Sequence, residues 1–175
     1  MLEIIEQHFA ESKEIPIDSI TIREAVRKLC EQNACGFYDK NWACPPALAP
    51  LDEMAAAFGR YRRFALVYRV YPVKSSFDME GWMTAKSDFD GRLAAMRDEF
   101  PPDLDHMLLG AGSCQLCNSC SYIDGKPCRR PDDMIVSLEA CGIDVMSLMK
   151  VNGLPYYGGP KTVTYIGGVA FDPAP

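Results

Sequence analysis

"RRFALVYRVYPV" spans Arg62–Val73. From Phe64 to Tyr71 it strings β-branched and aromatic residues together between turn signals, and so predicts a largely buried strand. The elements on either side can be placed around it. Downstream, Trp82, Ala85, Phe89, Leu93, Met96 and Phe100 recur every three or four positions, the longest helical pattern in the chain, over Glu80–Phe100. Gly91 within it costs about 1 kcal/mol relative to Ala and is expected to mark a close packing contact. Pro101 and Pro102 stop the helix, and "DHMLLGA" (Asp105–Ala111) is a second strand candidate. Upstream, Ile22, Ala25, Val26 and Leu29 predict a helix over 19–32, with Ser19 or Thr21 as cap, and a short helix is expected over Leu51–Phe58 after Pro50. Towards the C-terminus, "DDMIVSLEACGIDVMSLMK" (132–150) suggests two short helices broken at Gly142, and "KTVTYIGGVAF" (161–171) a final strand. With no internal repeat and no linker, the expected architecture is one α+β domain over residues 1–175: a small central sheet flanked by helices and a cysteine-rich metal-binding loop.

A chain of 175 residues buries roughly two-thirds of its unfolded surface without a staple, so its eight cysteines are not needed merely to fold it. Met1–Ala10 ("MLEIIEQHFA") lacks a basic region followed by a long apolar core. No window approaches the ~18 apolar residues of a membrane span. The expectation is a soluble, cytoplasmic protein with no membrane partner, and in a reducing compartment clustered cysteines point to metal binding or redox chemistry. A formal charge of -6 and no Lys/Arg run argue against a nucleic-acid partner.

Cys114, Cys117 and Cys120 follow one another at Cys-x2-Cys spacing within "GSCQLCNSCSYIDGKPCRRP" (Gly112–Pro131), and Cys128 comes after Gly125 and Pro127. On a straight strand or helix such thiols diverge, so a turning loop is required for them to converge. Tandem Cys-x2-Cys-x2-Cys is how a loop holds three irons of a [4Fe-4S] cluster, the fourth thiolate coming from elsewhere. A zinc site more commonly pairs two separated Cys-x2-Cys units or adds histidines, and zinc is the alternative metal. Two residues compete as fourth ligand. Cys128 is near in sequence, and the turn residues of "YIDGKPC" can fold it back. Cys44 precedes Pro45, as remote ligands in ferredoxin-like modules often do. Lys126, Arg129 and Arg130 would offset the charge of a thiolate-bound cluster and raise its potential.

Cys35 and Cys44, in "CGFYDKNWACPP", form a second constellation, with Phe37, Tyr38 and Trp42 available to wall off an apolar site. Their spacing is too long for a thioredoxin-type motif, so metal ligation is favoured over a dithiol or plain loop packing. Cys30 and Cys141 sit where a small buried thiol is ordinary. A second four-iron cluster would need all eight cysteines. His8 and His106 stand alone, "GLPYYGGPK" (Gly153–Lys161) lacks Walker spacing and reads as a turn whose tyrosines could line a pocket, and the acidic pairs cap helices or face solvent. No Ser-His-Asp or Cys-His arrangement can be assembled.

"CGFYDKNWACPP", "GAGSCQLCNSC" and "GKPCRRPDDMIVSLEACGIDV" together resemble a family of small prokaryotic proteins classed as a domain of unknown function and labelled predicted metal-binding proteins. The likeness runs from about Cys30 to the final strand. It implies a metal or iron-sulfur site using Cys35, Cys44, Cys114, Cys117, Cys120 and Cys128, and implies no substrate. The expected function is electron transfer through a [4Fe-4S] cluster to or from a redox protein partner. Two rivals stand beside it: a structural zinc-binding adaptor, and an iron-sulfur enzyme with a small-molecule ligand near the Cys35/Cys44 loop.

Overall fold

The computed structural model describes residues 1–172. Its centre is a pair of ten-residue antiparallel strands, β2 (Arg63–Pro72) and β5 (Thr162–Phe171), in register from Arg63↔Phe171 to Pro72↔Thr162. β1 (Ser12–Pro16) pairs antiparallel with β2 on one side, and β3 (His106–Gly110) antiparallel with β5 on the other. A two-residue strand, β4 (Val136–Ser137), runs parallel to β3 and completes a five-stranded sheet in the order β1-β2-β5-β3-β4.

The sheet is covered on both faces, which is why β2 reads as a continuous apolar run rather than as an alternation. Phe64 and Leu66 point into one core with Phe58, Ile143, Leu148 and Met149, whereas Ala65 and Val67 point into the other with Ile5, Phe9, Phe89, Leu93 and Met96. The first core is closed by α3 (Leu51–Phe58) and α5 (Val145–Val151), and the second by α1 (Leu2–His8) and α4 (Met79–Asp98). On β5 the glycine pair answers this crowding. A Cβ at Gly168 would lie 2.3 Å from the Phe64 ring, and one at Gly167 would lie 2.6 Å from the Leu109 carbonyl oxygen.

The strands β2, β3 and β5 and the helices α3 and α4 lie where the sequence places them. Three expectations are corrected. The helix expected over 19–32 is shorter, α2 (Glu24–Leu29) continued by a 3-10 turn over Cys30–Gln32. The first of the two helices expected after residue 132 is instead β4 and a turn, because Leu138 N donates to the Gly110 carbonyl (3.1 Å) and draws the segment to the sheet edge. Gly91 marks no packing contact, since it is exposed and a Cβ there would meet nothing within 4 Å. No helix among the described residues is long and apolar enough to cross a membrane.

The sheet order positions the functional loop. Parallel neighbours need a crossover of a dozen or more residues, usually a helix. Here residues 111–135 make the β3-to-β4 crossing, and Cys114, Cys117, Cys120 and Cys128 all lie on it. The loop's only regular element is a 3-10 turn at Ser121–Asp124.

Candidate metal centre

The crossing loop folds back on itself where the turn chemistry of "YIDGKPC" suggests. Gly125 adopts φ +63°, Lys126 N donates to the Ser121 carbonyl (3.1 Å), and Ser121 Oγ donates to the Pro127 carbonyl (2.8 Å). Ser121 and Pro127 are the immediate neighbours of Cys120 and Cys128, so this bond ties the two cysteine-bearing ends of the turn together. All four loop cysteines are half-buried.

The second constellation docks onto this loop through residues that carry no thiol. Asn41, only 5% exposed, donates from Nδ2 to the Cys114 carbonyl (2.9 Å) and accepts on Oδ1 from Ala43 N (2.9 Å). Trp42 Nε1 donates to the Lys126 carbonyl (3.1 Å), and its ring meets Tyr122 edge-on at 4.9 Å between centroids. Tyr122 OH in turn donates to the Asp39 carboxylate (2.7 Å). Asn41 and Trp42 thus clamp "CGFYDKNWACPP" to the crossing loop at two points.

This docking brings Cys44 near the loop thiols. Cys44 is buried, and burial, reinforced by the nearby Cys35, Cys30, Cys114 and Cys120, pushes its thiol up to about 12. Burial likewise raises Cys114, with smaller contributions from Cys128, Cys117 and Cys120. The two constellations are therefore one neighbourhood, in which each thiolate formed would repel the next. A thiophilic cation removes that repulsion and takes the place of the protons. Cys30, placed by sequence among the ordinary packing cysteines, is half-buried and lies close enough to Cys35 for the two to interact. The one sign in the sequence is that it lies only five residues before Cys35. Cys141 is set apart and fully buried, as expected of a packing thiol.

The basic residues are more engaged than their spacing suggests. Arg129 donates to the Ser119 carbonyl and braces the turn between Cys117 and Cys120. Arg130 lies near Cys117 and Cys114 but is paired with Asp133 (2.8 Å), and Lys126 is exposed, 4.0 Å from Asp124. Phe37 is 37% exposed, and Cys35, two residues before it, is also exposed. The paired tyrosines Tyr156 and Tyr157 are exposed.

A family model described as predicted metal-binding protein (DUF2284) matches residues 13–171. The chain belongs to this family. The DUF2284 match begins one residue into β1, ends on the last residue of β5 and contains every cysteine. No curated protein and no solved structure matches the chain. Metal binding, the property named for DUF2284, suits the donor chemistry: soft thiols with no disulfide among them, gathered on two clamped loops. Among the described residues no three His, Cys, Asp or Glu side chains are gathered tightly enough to hold one metal ion.

The thiols are expected to differ in reactivity. In folded, metal-free protein at pH 8, iodoacetamide should modify exposed Cys35 and leave Cys141 untouched. Burial pushes Cys141 up to about 12, so its reactive thiolate is on the order of one part in ten thousand at that pH and rises only as the solution becomes more alkaline. Mass spectrometry of tryptic peptides measures both; early labelling of Cys141 in folded protein would contradict the packing described.

Proposed function

We propose that the crossing loop holds a [4Fe-4S] cluster through Cys114, Cys117 and Cys120, with Cys128 or Cys44 as the fourth ligand, and that the protein exchanges single electrons with a protein partner. The observation that carries this reading is the placement of three tandem cysteines on an irregular loop, with a fourth tied back by the Ser121–Pro127 bond and Cys44 docked by Asn41. A cube takes each thiolate on its own corner iron, so its ligands stand wider apart than the tetrahedron around one zinc. When bound, the cluster supplies a one-electron couple whose potential follows local charge and solvent exposure. The protein's contribution is to exclude part of the solvent and to hold Arg130 near Cys117 and Cys114.

Iron, zinc and acid-labile sulfide are to be measured on anaerobically purified protein, with visible spectra before and after dithionite. About four irons and four sulfides per chain, with a band near 400 nm that bleaches on reduction, are expected. One zinc per chain with no visible band would replace this reading by a structural zinc site.

A further inference from the structure

On the side of the crossing loop that faces α4, a small, partly enclosed cavity of about 60 Å³ opens beside Cys114. Its charged lining is Lys86, Asp90, Arg97, Arg130 and Asp133, with Ser113, Gln115 and the Cys114 thiol as further polar groups and Leu116 and Ile135 among its apolar walls. Two of these polar groups are unusual. Lys86 is only 6% exposed although it sits on α4, and it is ion-paired with Asp90 one turn further along. Ser113 is 7% exposed, and its Oγ has no hydrogen-bond partner among the described residues. A buried hydroxyl left unpaired is costly, and each such group in a folded protein calls for an explanation.

We infer that this cavity is a binding site for a small carboxylate of the size of formate or acetate. Three cationic side chains and two carboxylates line it, and the third carboxylate that reaches them, Asp98 against Arg97, is 68% exposed and outside the cavity, so the lining itself carries one net positive charge. The other pairs are already made: Lys86 with Asp90, Arg130 with Asp133, and Arg97 with both Asp133 and Asp98. The ligand's oxygen would accept from Ser113 Oγ, the buried donor without a partner among the described residues, and a short alkyl end would meet Leu116 or Ile135. The volume limits the class. A cavity of about 150 Å³ is what holds a benzene ring, so one of about 60 Å³ takes a molecule of a few non-hydrogen atoms and no ring. Gly112 belongs to the same construction, since its φ of +64° turns the loop there and a Cβ at that position would lie 3.5 Å from Lys86 Cε. The site would place a small anion next to a cysteine of the candidate metal centre, but it is built from protein groups and does not depend on which metal the thiols hold.

The test is titration calorimetry of the full, anaerobically purified chain with formate, acetate and benzoate, alongside Ser113→Ala, with iron, zinc and sulfide content measured on each sample. Saturable one-to-one binding of formate or acetate is expected, with benzoate excluded. Ser113→Ala should weaken binding roughly tenfold, the worth of a hydrogen bond to a charged group, while leaving the melting temperature unchanged or higher, because the substitution removes an unpaired polar group. A merely structural serine would not move these two readouts in opposite directions. Wild type that binds the anion while carrying zinc in place of iron and sulfide would overturn the cluster reading and keep the anion site, and wild type with about four irons and no anion binding would do the reverse, so the two failures are distinguishable. Absence of saturable binding, benzoate binding as tightly as acetate, or unchanged affinity in Ser113→Ala would each overturn the inference and leave the cavity to water.

Discussion

Phe64→Ala is expected to lower the unfolding free energy by about 3–5 kcal/mol, a large share of the roughly 5–15 kcal/mol that holds a domain folded. The ring is fully buried on β2, packs 6.2 Å from Phe58 between centroids, and lies across β5 over Gly168. Removing it leaves a cavity at the middle of the first core, where two ten-residue strands fix the backbone and leave little freedom to collapse. The reciprocal change, Gly168→Ala, destabilises for the opposite reason: its Cβ would sit 2.3 Å from the same ring. The two substitutions should therefore not add. The double variant should be more stable than the sum of the singles predicts by about 1 kcal/mol or more, because the added methyl enters the space the ring has left. Part of the strain persists, since that Cβ also lies 2.9 Å from the Ala65 carbonyl oxygen. Urea unfolding of the four proteins measures the cycle. Additive losses would mean that Gly168 is required by the backbone and not by Phe64.

The same pair shows why the centre of the fold was legible. Buried on both faces, β2 could satisfy the burial only with an unbroken apolar run, and α4 repeats its buried residues at helical spacing because one face alone meets the sheet. The sheet edges carry no such signal. In β1, "SKEIP", Ile15 alone is buried, so no alternation marks it, and its strand state comes from pairing with β2. β4 has two residues and exists because the crossing loop returns beside β3, so a helical pattern was read from "MIVSL" where a short apolar run fits either state. α1 showed in the sequence only that it lacks a leader's basic and apolar regions, although its Ile5 and the following Phe9 are fully buried in the core that α4 closes.

The candidate centre divides in the same way. Tandem cysteine spacing is local and could be read directly, as could the turn that returns Cys128. The Asn41 bond to Cys114 spans 73 residues, and no pattern within either segment announces it. Trp42 was visible as an aromatic near thiols, but its indole N–H serves to clamp one loop to the other. The merging of Cys44 with the loop cysteines is a tertiary fact, produced by those two clamps.

Cys117→Ser is expected to abolish metal retention and leave the sheet standing. Both cores are built without the crossing loop's cysteines, since their buried residues come from the strands, the helices and the segment around Cys141. The loop itself, residues 111–135, has one 3-10 turn and a few side-chain bonds to hold its shape. Its order should therefore depend on the metal far more than the sheet's does, because a bound metal stabilises only what it is attached to in the folded state. Hydrogen exchange of metal-loaded wild type against Cys117→Ser should show protection lost over 111–135, and a smaller loss over Cys35–Cys44, where the Asn41 and Trp42 clamps transmit it. β2, β5 and α4 should be unchanged, with cooperative unfolding retained. Parallel Cys44→Ser and Cys128→Ser variants then identify the fourth ligand, because the one that is needed should repeat the Cys117→Ser pattern and the other should keep its metal. If Cys117→Ser instead unfolds the whole chain, the metal is part of what holds the β3–β4 edge to the sheet, and its role is structural before it is electronic.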